Sequence, residues 1–274
     1  MRKSFLIIAL ILTTVSAFAQ HAEHQTATTA TAPANPAVAD WAKQRLAASS
    51  RHREWVKVKS GDREVNAFVV YPEVKGKTTS VVVIHEIFGM SDWVQLLADE
   101  VAEAGYIAIA PDLLSGVTLA DANAVGKAIR DLPPDQITAD LNAVADYVAK
   151  LPAANGKVAV AGFCWGGGQA FRFATNRPTL TAAFVFYGPG PESVDSIKAP
   201  VYGFYAGNDA RIGATVAKTL QMMHDAKKTY EVVTYEGAGH GFMRAGDAPD
   251  ASAANKKARD ESWVRWKGVL KDVK

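Results

Sequence analysis

The sequence predicts an α/β fold: a mostly parallel sheet of about eight strands with helices on both faces. Three observations predict it. Short runs such as Ser80-Val81-Val82-Val83-Ile84 are apolar throughout, as strands buried on both faces are. Those runs alternate with longer segments of helical period. Two strands of alternating polarity precede the first fully apolar one, which adds an antiparallel start to an otherwise parallel sheet.

In chain order, Arg2-Lys3 form a basic start, residues 5–12 are continuously apolar, and Ala17-Phe18-Ala19 precedes Gln20 as a small-x-small cleavage site. That pattern predicts a signal peptide over residues 1–19, cut after Ala19, and a periplasmic or secreted protein. Thr13, Thr14 and Ser16 break the apolar run, so it is a poor spanning helix, and no stable membrane insertion is expected after cleavage. An uncleaved anchor is the alternative. Residues 20–50 are rich in Ala, Thr, Pro and His and predict a flexible linker, with a short helix over 41–46. Residues 51–274 then form one domain, and 49% hydrophobic residues suffice for a full core.

Val56-Lys57-Val58-Lys59 alternates, Gly61-Asp62 supplies a turn, and residues 65–71 make a second strand, so a hairpin is expected. Strand 80–84 leads through a loop to a helix over 93–104 and a strand over 106–110. Ile137, Leu141, Val144, Ala145, Val148 and Leu151 fall on a helical period. Strands over 157–161, 182–187 and 201–206 follow, then a helix over 214–225, a strand over 230–235 and a long helix from about residue 251. In sheets of this kind ligands bind at the carboxyl ends of the strands.

Without Arg2 and Lys3 the chain has 28 basic against 28 acidic residues, a balance that argues against a nucleic-acid partner. The single cysteine excludes an internal disulfide. A lone thiol outside the cytoplasm is prone to oxidation, so it is expected to be either deeply buried or useful. His21 and His24 in the linker make only a weak metal-binding case, and no metal or cofactor is expected. The oligomeric state is left open, a monomer included.

That cysteine, Cys164, sits in Gly162-Phe163-Cys164-Trp165-Gly166-Gly167-Gly168, between a buried strand and a helix that reads from Gln169. A strand ending in Gly-x-nucleophile-x-Gly and opening a helix is the nucleophile elbow of the α/β-hydrolase fold, with cysteine in the usual serine position. Taken alone, a cysteine is more often a small buried hydrophobe. The elbow context points instead to acyl transfer through a thiolate.

A thiol nucleophile needs a base and a group to orient that base. Strand 201–206 runs into Gly207-Asn208-Asp209, and strand 230–235 into Gly237-Ala238-Gly239-His240-Gly241. Nucleophile, acid, histidine is the chain order this fold uses. Asp209 alone would equally serve as a turn or helix-cap residue, and His240 as a hydrogen-bonded loop residue. Two oxyanion donors are expected, the backbone N–H of Trp165 and one near Ile87 in the loop His85-Glu86-Ile87-Phe88-Gly89-Met90. Glu86 is unusual there, because a carboxylate opposes developing negative charge unless it is neutralised. Arg244 is the nearest candidate for that task; the plain alternative is that both are solvated loop charges.

These residues resemble one family closely, the dienelactone hydrolases or carboxymethylenebutenolidases, over roughly residues 55–270. The resemblance rests on Glu86-Ile87-Phe88-Gly89, Ala110-Pro111-Asp112-Leu113, the Cys164 elbow, Gly207-Asn208-Asp209 and Ala238-Gly239-His240-Gly241-Phe242-Met243-Arg244. It implies a triad of Cys164, His240 and Asp209. It also implies that Glu86 pairs with Arg244 until a substrate carboxylate engages the arginine, whereupon the freed glutamate takes the thiol proton. No motif anchors the family's additional substrate-binding arginine; Arg130 lies in a suitable segment.

Sulfur itself restricts the substrate. A thiolate leaves a tetrahedral intermediate more easily than an alkoxide does, so an ordinary alkyl ester tends to revert. Enol and aryl esters, whose departing oxygen is stabilised, go forward, and water activated by His240 then cleaves the thioester. The expected partner is therefore a small-molecule activated ester or lactone. An acyltransferase, or a thiol redox or binding protein without hydrolysis, is the alternative on the same fold.

Overall fold

The computed structural model describes residues 39–115, 117 and 121–272. The expected signal peptide, the linker to residue 38, and His21 and His24 lie outside the described residues. The elements run α1 (Asp40–Ala47), β1 (Arg53–Ser60), β2 (Arg63–Val70), β3 (Thr78–Ile84), α2 (Asp92–Glu103), β4 (Ile107–Pro111), α3 (Ala122–Arg130) and α4 (Pro134–Ala149). Then come β5 (Ala154–Phe163), α5 (Trp165–Asn176), β6 (Ala183–Phe186), β7 (Val201–Ala206), α6 (Ala210–Asp225), β8 (Tyr230–Tyr235), α7 (Phe242–Ala245) and α8 (Ala253–Asp272).

The sheet has the order β1-β2-β4-β3-β5-β6-β7-β8. The pairs β1–β2 and β2–β4 are antiparallel and the rest parallel, which is the mostly parallel α/β-hydrolase arrangement expected. After β3 the chain turns to one side to form β4, then crosses to the other side to form β5. The carboxyl ends of β3 and β5 therefore border the crevice where the strand order reverses, the place such sheets offer a ligand.

Alternation along the buried strands assigns the two faces. Val82, Ile84, Val158 and Val160 pack with α4 and α5, while Val81, Val83, Ala159 and Ala161 pack with α2 and α8. On the second face the alanines of β5 lie among Trp93, Phe186 and Trp266, all fully buried. A one-residue slip would bring valines onto that side, and overpacking of this kind costs typically about 1–3 kcal/mol.

Four differences from the sequence reading have physical causes. The short helix over 41–46 is α1, but it is packed rather than free: Ala42 is fully buried, and Arg45 pairs with Glu100 of α2 and with Asp247. Residues 40–47 are thus helical rather than part of a flexible linker. Helix α3 was not anticipated: it is only nine residues long and carries a glycine, Gly126, at its centre. Helix α5 starts at Trp165 and not at Gln169, so the three glycines lie inside it. Helix α6 starts at Ala210 rather than Ala214, because the Asp209 side chain caps it.

Candidate active site

Cys164 sits between β5 and α5 with φ 56° and ψ −116°. A non-glycine residue in that region carries strain of order 1–3 kcal/mol, kept only where neighbours impose it. Here the neighbours are backbone. A Cβ at Gly162 would lie 1.9 Å from the Gly166 oxygen, and one at Gly166 would lie 2.4 Å from the oxygens of Ile84 and of His85. The glycines let α5 rest directly on the ends of β3 and β5, and that contact turns Cys164 outward.

The acid and histidine arrive from the ends of β7 and β8. His240 Nδ1 lies 2.5 Å from Asp209 Oδ2. The other oxygen, Oδ1, accepts the Ile212 N–H at 3.2 Å. Asp209 is therefore both the histidine's partner and the N-cap of α6, and the two readings of the sequence are one arrangement. Capping fixes the carboxylate by one oxygen and leaves the other to hold the imidazole. Gly241, at φ 76°, bends the chain into α7 immediately after His240.

Glu86 follows β3, and its side chain is 3% exposed. Arg244 of α7 donates from Nε to Glu86 Oε2 at 2.7 Å, and its guanidinium lies 5.1 Å from the Phe88 ring centroid. Burial works against the charge of Arg244, and Glu86 more than restores it. The Cys164 thiol is pushed above its ordinary range, first by burial and then by the Glu86 carboxylate. The backbone N–H groups of Trp165 and Ile87 and the guanidinium of Arg211 pull it the other way. Among the described residues no hydrogen bond joins the Cys164 sulfur to His240.

A cavity of about 380 Å³ opens over Cys164, lined among others by Ile87, Trp165, Tyr187, Arg130 and Arg211. Arg130 was the sequence's unanchored candidate, and α3 brings it to the cavity. Arg211 and Tyr187 were missed. Tyr187 is fully buried at φ 41°, its ring 5.1 Å from that of His240, and burial together with Glu86 holds its phenol well above the ordinary range. Its position just past the end of a strand, before Gly188, was the signal available. Arg211 gave none beyond standing two residues after Asp209. Among the described residues no cluster of three His, Cys, Asp or Glu side chains could hold a metal ion, and no helix is long and apolar enough to cross a membrane.

The geometry agrees with what the chain is similar to. The model of the dienelactone hydrolase family matches residues 65–274. A protein of Saccharolobus solfataricus with the provisional name carboxymethylenebutenolidase is 30% identical over 254 residues, covering 78% of this chain and 96% of the relative. One of the same provisional name from Yersinia pestis is 31% identical over 222 residues, covering 74% and 81%. A crystal structure from Klebsiella pneumoniae, provisionally assigned as a dienelactone hydrolase, superposes with a TM-score of 0.71 at 27% identity, covering 81% of this chain and 99% of that one. An esterase from Pyrobaculum calidifontis shares the fold, with a TM-score of 0.63 at 14% identity, covering 85% and 88%. On the family match, which spans most of the chain, and on the relatives' coverage, the protein belongs to the dienelactone hydrolase family, α/β-hydrolase-fold enzymes that act on esters and lactones.

Proposed function

We propose that this hydrolase cleaves a carboxylate-bearing activated ester or lactone, with Cys164, His240 and Asp209 as its triad and a thioester as its acyl-enzyme. The observation that carries the reading is the 2.5 Å contact between His240 Nδ1 and Asp209 Oδ2 beside the cavity that holds Cys164. The carboxylate requirement follows from charge. Arg130 and Arg211 line the cavity, its lining includes no acidic residue, and neither arginine is paired with a carboxylate among the described residues.

In the resting site Arg244 holds Glu86, and the thiol is neutral. A substrate carboxylate that takes over Arg244 leaves Glu86 to accept the thiol proton. The thiolate adds to the carbonyl carbon, and the N–H groups of Trp165 and Ile87 hold the oxyanion. Collapse breaks the carbon–oxygen bond and expels a stabilised enolate or aryloxide, leaving the acyl group on sulfur. His240, oriented by Asp209, then activates water, which releases the acid and restores the thiol. A neutral resting thiol resists oxidation, which suits the exported protein we infer from residues 1–19.

The test is a screen of lactones and aryl esters with and without a free carboxylate. The reading expects an acyl-enzyme burst that Cys164→Ala abolishes, and a preference for carboxylates that Arg211→Leu and Arg130→Leu reduce. Iodoacetamide-sensitive thiol exchange without ester turnover would replace it with a thiol redox protein. Turnover faster with an added alcohol or amine acceptor than with water would replace it with an acyltransferase. N-terminal sequencing of the protein from its native host tests export, which expects Gln20 as the first residue.

A further inference from the structure

His85 takes no part in those steps, yet it touches both halves of the site. Its side chain follows β3 and is fully buried. Its Nδ1 lies 2.8 Å from the carbonyl oxygen of Glu86. A carbonyl oxygen only accepts, so Nδ1 carries the proton and Nε2 the lone pair. Nε2 is buried without a partner, and burial lowers the ring's basicity, so the imidazole stays neutral in a single tautomer. The Glu86 carbonyl accepts a second bond, from the Gly89 N–H at 3.2 Å.

That carbonyl shares a peptide plane with the N–H of Ile87. In a trans peptide the two groups point in opposite directions, so holding the oxygen aims the N–H. The Ile87 N–H is one of the two backbone groups that favour the Cys164 thiolate. The same imidazole stacks on the Trp165 ring, with centroids 5.6 Å apart and planes 13° apart. Trp165 carries the other backbone N–H that favours the thiolate.

An orphaned buried nitrogen is costly, typically about 1–3 kcal/mol, and an apolar residue in this place would not incur that cost. What histidine adds is one directed donor on one face of the loop and a flat ring against the next element. We infer that His85 is the positioning residue of the oxyanion hole: its Nδ1–H fixes the peptide that bears one donor, and its ring seats the residue that bears the other. The catalytic consequence rests on the triad reading; the geometric one does not.

Two variants separate the parts. His85→Phe keeps a ring against Trp165 and removes the donor. His85→Asn keeps an N–H close to the Nδ1 position and removes the ring. Two readouts are needed: kcat and KM for an aryl ester that carries a free carboxylate, and the pH midpoint of Cys164 alkylation by iodoacetamide, which reports the N–H groups around the resting sulfur. In His85→Phe we expect kcat to fall about tenfold or more with KM little changed, and the alkylation midpoint to rise. In His85→Asn the midpoint returns toward the wild-type value. Should the Phe variant fail to fold, His85→Leu takes its place.

A donor-less variant with wild-type kcat and midpoint overturns the proposal. So does one that loses thermal stability and kcat while the midpoint stays put, because that is a purely structural role. If the wild-type protein shows no hydrolysis that depends on Cys164, the triad reading falls, and the alkylation midpoints alone decide the role of His85.

Discussion

Arg244 and Glu86 stand 158 residues apart in the chain and 2.7 Å apart in the fold, Nε to Oε2. The contact joins the loop after β3 to the short helix after His240, so one ion pair ties the Glu86 loop to the His240 loop. Its carboxylate is nearly sealed from water, while the guanidinium remains 26% exposed. The asymmetry suits a pair that a ligand can open.

That asymmetry predicts non-additive stability. Arg244→Gln leaves a buried carboxylate unpaired, and we expect a loss of about 1–3 kcal/mol, less than for a fully buried pair because the arginine is partly solvated. Adding Glu86→Gln removes the stranded charge, so the double variant should be more stable than Arg244→Gln alone. Urea unfolding of the four proteins in this cycle measures the coupling. Strict additivity would mean that the pair is not energetically joined.

The thiol should titrate above the usual cysteine range, and its neighbours should move it in opposite directions. Glu86→Gln removes a negative charge that disfavours the thiolate, so the alkylation midpoint should fall. Arg211→Leu removes a positive charge that favours it, so the midpoint should rise. The sign for stability follows from linkage: a thiol held above its unfolded value loses stability as pH rises through that interval and contributes no change below it. Rates of iodoacetamide modification against pH check both shifts, and shifts of the same sign in both variants would contradict the placement of these charges.

Asp209 has two oxygens with two tasks, and substitution can part them. Asp209→Asn keeps an oxygen for the Ile212 N–H but removes the charge from His240. On the triad reading kcat should fall by roughly 10³–10⁴ with little change in melting temperature. Asp209→Ala should lose comparable activity and also about 1 kcal/mol of stability, because α6 loses its cap. Steady-state kinetics beside thermal melts read the two effects, and an Asn variant of near wild-type kcat would remove Asp209 from the mechanism.

Two glycines should respond to alanine with opposite signs. At Gly162 the new Cβ would collide with the Gly166 backbone at 1.9 Å, and neither β5 nor α5 can retreat without dismantling the elbow. We expect Gly162→Ala to yield little folded protein. Gly213 lies inside α6 with nothing within 4 Å of a Cβ. Gly213→Ala should therefore stabilise by about 0.5–1 kcal/mol through helix propensity and a less flexible unfolded chain. Expression yield and urea melts decide both.

Much of the site was legible because the fold sets chain order. Cys164, Asp209 and His240 each follow a strand that reads clearly from its own residues, and strand ends gather in one crevice. Glu86 stood out because a carboxylate is chemically awkward beside an oxyanion donor. Arg211 was not legible and Tyr187 offered only its place between a strand and Gly188, because only packing shows which loop residues face the cavity. Helix α3, which delivers Arg130, is short and centred on Gly126, a residue that argues against a helix.

By itself the sequence determined the sheet, the elbow and the order of the chemistry-bearing strand ends, because hydrophobic period and glycine spacing are local properties. Only the tertiary structure decided which of those groups meet. That Arg244 holds Glu86, that one oxygen of Asp209 caps a helix while the other holds His240, and that His85 stacks on Trp165 are long-range facts. They depend on where eight strands place their ends, and no run of neighbouring residues encodes such a distance.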